Sequence, residues 1–174
     1  ALPVTVDGTR LAFGSRGAIC HSNGVYRAAA ANITTRLAER YADHPALAMW
    51  HISNEYGPTA YTEQGAAAFR EWLKRRYGSL EALNDAWYTR FWSQVYTSWE
   101  QVNPPEVPRS WSNPTRRLDF KRFVSDTLLE CFVMERDIVR SYRDDIPVLT
   151  NFMRFYKHAD YWRWAPEEDA AALD

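Results

Sequence analysis

The chain has 174 residues, about one domain on the usual size range. Lys+Arg 21 against Asp+Glu 22 gives a net charge of −1, which argues against a nucleic-acid or membrane-surface protein, since both carry a strong positive excess. No apolar run approaches the roughly 20 residues that a bilayer span needs, and no signal-peptide pattern opens the sequence.

Residues 1–23 read as irregular, with Asp7-Gly8, Gly14 and Gly17 as turn signals. Helical periodicity begins near Val25. Val25, Ala29, Ile33, Leu37 and Tyr41 recur every four residues and predict one buried helix face. Asp43-His44-Pro45 stops that helix. Ala46 to Ser53 (ALAMWHIS) is a short apolar run whose length suits a buried parallel strand, ended by Asn54-Glu55-Tyr56-Gly57-Pro58. Thr62 is placed to cap a helix carrying Ala68, Phe69, Trp72, Leu73 and Tyr77, with Gly78 at its C-terminus. Ser79 is placed to cap a short helix through Trp87.

Residues 88–112 are rich in Trp and Pro, and a loop this long is usually functional or interfacial. Asn113-Pro114 then reads as an N-cap followed by Pro in the first turn of a long helix to about Tyr142. Asp119, Asp126, Glu130 and Asp137 read as its solvated face, alongside Arg117, Lys121, Arg122 and Arg136. Pro147 to Phe152 (PVLTNF) is a second buried-strand candidate. Tyr161 to Ala165 is a short helix, and Ala170 to Leu173 begins a third strand.

This alternation points to a parallel sheet built from βαβ units. Three strands make the chain a middle section of a (β/α)8 barrel, which needs about 250 residues. An open doubly wound sheet is the competitor, but no GxGxxG or Walker sequence is present. Leu2-Pro3-Val4 reads like the middle of a loop, and Ala170 to Asp174 is an apolar run with no cap, as in an internal piece of a longer protein. The two cysteines, Cys20 and Cys131, have no framework spacing and fit a reducing compartment as apolar packing residues.

The sharpest chemical signal is the polar pair Asn54-Glu55 at the end of an apolar strand, where parallel α/β folds place their sites. A carboxyl there can act as a proton donor, and an amide beside it can hold a sugar hydroxyl. Aromatic side chains are 15% of the chain. Trp72 and Trp87 sit at helical spacing and read as core. Trp92, Trp99 and Trp111 lie outside periodic helices, where a flat ring can stack on a sugar or pack in an interface. His44 reads as a loop cap and His51 as a packed strand residue. Asp174 reads equally as a substrate contact or a structural strand end.

FGSR (Phe13 to Arg16), Cys20, Tyr26-Arg27, HPAL (His44 to Leu47), WHISNEYG (Trp50 to Gly57), FREWLKRRYGSLEALNDAW (Phe69 to Trp87), FWSQ (Phe91 to Gln94), Asn113-Pro114, LDFKRFVSD (Leu118 to Asp126) and TNFM (Thr150 to Met153) follow in order along the chain. Together they resemble glycoside hydrolase family 42 β-galactosidases, clan-A retaining enzymes on a (β/α)8 barrel. The resemblance implies an α/β fold: a partial barrel, roughly strands 4 to 6, with a long helical and Trp/Pro-rich insertion. Residues 1–174 would be the middle part of a single catalytic domain, truncated at both ends.

By the same resemblance Glu55 is the general acid/base, Asn54 binds the galactose 2-hydroxyl, Arg16 contacts the galactose, and Trp92 stands at the site mouth or in a trimer contact. The nucleophile, a second Glu near the end of strand 7, falls outside the chain. Many members hold a structural zinc with four cysteines. Cys20 matches the first, while the other three positions fall on Ala60, Thr62 and Gly65, so no zinc and no other cofactor is expected. The implied partner is a galactoside, with no nucleic acid or membrane, in a cytoplasmic protein that is a homotrimer at full length. The alternatives are another clan-A glycosidase, such as a β-glucanase, and a non-catalytic sugar-binding or scaffold protein derived from the barrel.

Overall fold

The computed structural model describes residues 2–14, 17, 19–57, 61–107, 112–153 and 157–174. They fall into two compact units, residues 1–22 with 59–123 and residues 23–58 with 124–174.

In the first unit, α2 (Glu63–Tyr77) starts where the Thr62 hydroxyl accepts the Gly65 amide. It stops at Gly78, whose φ of 75° is the left-handed conformation of a helix C-terminus. Helix α3 (Leu80–Ala86) begins where Ser79 accepts the Ala82 amide. Both caps are as the sequence predicts. The Trp/Pro-rich segment folds into 3-10 turns at Phe91–Ser93 and Trp99–Gln101. Asn84 ties it down: its amide bonds both the N–H and the carbonyl of Tyr96, at 2.9 and 2.8 Å, and accepts from Thr89. Trp111 lies outside the described residues. Phe69 packs against Phe120 and Phe123 with ring centroids 5.1 and 5.3 Å apart, and such pairs add about 1 kcal/mol each beyond area burial.

Helix α4 (Pro114–Tyr142) opens where Asn113 accepts the Arg116 amide, and its residues after Phe123 belong to the second unit. Asp119 corrects the expectation of a solvated face: it has no exposed surface. Its Oδ2 accepts from Trp87 Nε1 at 2.9 Å and from the Tyr77 hydroxyl, and its Oδ1 faces Arg122 and Arg76. A charge can be buried here because donors satisfy both oxygens.

In the second unit, α1 (Gly24–Tyr41) is capped by Asn23, which accepts the Val25 and Tyr26 amides. Its buried face is not the expected apolar stripe. Ala30, Thr34 and Ala38 are buried, whereas Val25 is 77% exposed and Ile33 57%. On the buried face Thr34 Oγ1 donates to Glu135 Oε2 of α4 at 2.8 Å, and Arg27 pairs with Glu130 of the same helix.

Strand β1 is only Trp50–His51, shorter than the predicted run, because pairing with β2 (Val148–Phe152) reaches only those residues. Helix α5 (Tyr161–Trp164) leads through a 3-10 turn, Ala165–Glu167, to β3 (Ala170–Leu173). The sheet order is β1-β2-β3, all parallel, with Trp50 opposite Val148 and Leu149 opposite Ala170. Every residue of β2 is buried. Trp164, fully buried, packs on Tyr56, Phe132 and Phe152 at centroid distances of 5.5, 5.7 and 5.2 Å. Both cysteines are buried and neither forms a disulfide. Among the described residues no helix is long and apolar enough to cross a membrane.

At the amino ends of the strands, two neighbouring carboxylates are driven in opposite directions. The Val148 amide and Arg140 hold the Asp169 carboxyl below its usual value. Burial pushes Glu168 up to about 7, and the Thr150 backbone offsets this only in part. A raised carboxyl pKa stabilises the fold below the unfolded value and is lost as pH rises. The melting temperature should therefore fall between about pH 4.5 and 7, and Glu168→Gln should remove that fall in a pH series. Asp119→Ala, which strands the Trp87 and Tyr77 donors, should cost about 3–5 kcal/mol in urea unfolding.

Candidate active site

The three strands deliver three polar residues to their carboxyl ends. Beyond β1 the backbone turns sharply: Ser53 has φ 57° and Glu55 φ 48°. A left-handed backbone costs a non-glycine residue about 1 kcal/mol or more and collects at functional sites. The turn is pinned to β2 at both ends. The Ile52 amide donates to the Leu149 carbonyl at 2.8 Å, and the Glu55 amide donates to Asn151 Oδ1 at 3.0 Å.

Asn151 is the centre of the cluster. It is 6% exposed and its side chain makes four hydrogen bonds. Oδ1 accepts from the Glu55 amide and faces His51 Nε2 at 3.1 Å. Nδ2 donates to Asn54 Oδ1 at 3.2 Å and to Asp174 Oδ2 at 2.8 Å. Asp174 extends the ladder through its amide to the Phe152 carbonyl. Within this chain Asn54 is exposed and Glu55 half-buried.

The sequence-predicted pair Asn54-Glu55 is thus brought together with His51, Asn151 and Asp174. His51 is exposed on its strand rather than packed inside it, because β1 has no strand beyond it among the described residues. Asp174 accepts from Asn151 at 2.8 Å, a contact of the kind its structural reading expects. Arg16 lies outside the described residues. Trp92 falls in the Phe91–Ser93 turn, and its side chain lies outside them as well. Asn151 was missed. Inside the run PVLTNF it reads as one more buried strand residue, and the signals that point to it are a polar amide where apolar side chains are the rule and its place in the TNFM motif.

Cys20, at the first of the family's metal positions, shares a buried hydrogen bond with Thr62, Sγ to Oγ1 at 3.4 Å. The Thr62 oxygen also caps α2. Among the described residues no three His, Cys, Asp or Glu side chains cluster as a metal site would require.

The sequence matches the family model for glycoside hydrolase family 42, described as β-galactosidase, over residues 1–174. A β-galactosidase from Arthrobacter sp is 49% identical over 99% of this chain and 26% of its own length. The β-galactosidase LacZ of Heyndrickxia coagulans is 43% identical over 100% of this chain and 27% of its own. Among solved structures, the β-galactosidase of Bacillus circulans sp. alkalophilus superposes with a TM-score of 0.94 at 45% identity, covering 99% of this chain and 26% of that one. The chain spans about a quarter of the length of these relatives.

Proposed function

The chain belongs to glycoside hydrolase family 42, and on that premise we propose that it is the acid/base-bearing part of a retaining β-galactosidase acting on terminal β-D-galactosides. The observation that carries this reading is the Asn54-Glu55 pair at the carboxyl end of β1, in a chain matched by the family over its whole length.

Residues 1–174 would form the middle part of a single (β/α)8 catalytic domain, roughly strands 4 to 6, with residues 88–112 as the insertion. The parallel order of β1, β2 and β3 supports this. Protonated Glu55 gives its proton to the glycosidic oxygen as the bond to the anomeric carbon breaks. A second carboxylate, supplied by a part of the enzyme outside these residues, attacks that carbon. In retaining enzymes the two carboxyl groups stand about 5–5.5 Å apart. Glu55, now ionised, then takes a proton from the water that releases galactose. Asn54 turns its oxygen to Asn151, which leaves its NH2 group for the 2-hydroxyl oxygen. Arg16 would contact the galactose and Trp92 would wall the mouth. Those two roles, the homotrimer and the cytoplasmic location rest on the resemblance alone.

The residues at the family's zinc positions do not fit the metal. One thiol is engaged by a hydroxyl, that hydroxyl caps a helix, and Gly65 offers no ligand atom. Stoichiometric zinc at Cys20, measured by elemental analysis after gel filtration, would overturn this. The expected zinc content is background.

The activity test grafts this chain in place of the matching quarter of the Bacillus circulans enzyme. The chimera should hydrolyse a chromogenic galactoside, whereas the isolated 174 residues should not. Glu55→Gln in the chimera should lower the rate on a poorly activated galactoside by about 100- to 10,000-fold. An inactive, folded chimera would favour a non-catalytic sugar-binding role. Hydrolysis by the isolated chain, abolished by Glu55→Gln, would show that it carries a full catalytic pair.

A further inference from the structure

We infer that Asn151 is a positioning residue, which sets the reach of the Glu55 carboxyl and the outward face of the Asn54 amide. The inference rests on the assignment of Glu55 as acid/base.

The donor and acceptor capacity of each partner fixes the orientation of the Asn151 amide. The Glu55 amide can only donate, so the oxygen of Asn151 must face it. An ionised Asp174 can only accept, so the nitrogen of Asn151 must face that side. These two contacts orient the amide without ambiguity. Two consequences follow. The His51 nitrogen at 3.1 Å must be a donor, which selects the tautomer protonated at Nε2. Asn54 must present its oxygen to Asn151 and its NH2 group outwards.

The contact to Glu55 falls on its backbone, not its carboxyl. Glu55 sits at φ 48°, a conformation that persists only when its surroundings hold it. Asn151 supplies a directed acceptor for that residue's amide from a strand 96 positions away. Releasing that amide lets the backbone relax and moves the carboxyl away from the leaving oxygen. A misplacement of about 1 Å costs roughly 100-fold in rate. The other polar side chain of this buried strand, Thr150, has no hydrogen-bond partner for its hydroxyl among the described residues, whereas Asn151 makes four bonds, all to the residues around the Asn54-Glu55 turn and Asp174.

The test uses the chimera and two galactosides that differ in leaving group. Dinitrophenolate leaves without a proton, whereas methoxide needs one. Asn151→Ala should lower kcat/KM for the methyl galactoside roughly 100-fold and for the dinitrophenyl galactoside less than about 5-fold. The swapped pair Asn151→Asp with Asp174→Asn keeps an acceptor for the Glu55 amide and a donor opposite it, while replacing the donor to Asn54 by an acceptor, so it tests the Glu55 contact by itself. It should recover at least about tenfold of the methyl-galactoside loss. Equal losses on the two substrates, or a swapped pair as selective as Glu55→Gln, overturn the inference. Glu55→Gln is the control for the assignment itself. If it shows no preference for the activated substrate, the acid/base reading fails and the inference falls with it, whereas a selective Glu55→Gln with an unselective Asn151→Ala overturns the role of Asn151 alone.

Discussion

The pairing of β2 with both of its neighbours is the constraint on which the rest depends. Parallel strands in register bring one residue from each to the same end, and side chains alternate faces along every strand. With Trp50 opposite Val148 and Leu149 opposite Ala170, Asn151 lies within reach of the turn after β1 and of Asp174 beyond β3. A slip of one residue would turn Asn151 to the opposite face and put Thr150 or Phe152 in its place. The amide contacts to Glu55, Asn54 and Asp174 would then all be lost together. Register and site chemistry are the same fact seen at two scales.

The two ends of this sheet are chemically different. At the carboxyl ends, a neutral amide connects charged and polar neighbours, and each of its four bonds has a partner of the right kind. At the amino ends, Asp169 closes on the Val148 amide and Arg140, while Glu168 is sealed among its neighbours with its ionised form disfavoured. Parallel α/β folds concentrate function at the first end and stability at the second. The distribution of polar contacts follows that division.

Local signals were legible in the sequence wherever their physics is local. Thr62, Ser79 and Asn113 cap helices because a short polar side chain reaches an amide two or three residues on, and Gly78 ends one because it tolerates positive φ. The three strands were visible as short apolar runs, and Asn54-Glu55 as the polar pair ending one of them. What failed depends on partners distant in sequence. The stripe from Val25 to Tyr41 has helical period, but burial went to the face where Thr34 meets Glu135, about a hundred residues away. Asp119 sits among arginines on α4 and reads as surface, yet Trp87 and Tyr77 arrive from other elements to enclose it. Asn151 shows locally only as a polar amide in an apolar run, because its partners at 51, 54, 55 and 174 meet only when the sheet forms.

The turn after β1 bears on how this chain can vary. Surface loops ordinarily absorb insertions and deletions at little cost. This one has no slack. Its first amide is bound to Leu149 and its last to Asn151, with only Ser53 and Asn54 between them. One residue added or removed there would break an anchor or reverse the order in which Asn54 and Glu55 face outwards. A library meant to reshape this protein should hold residues 52 to 55 at constant length.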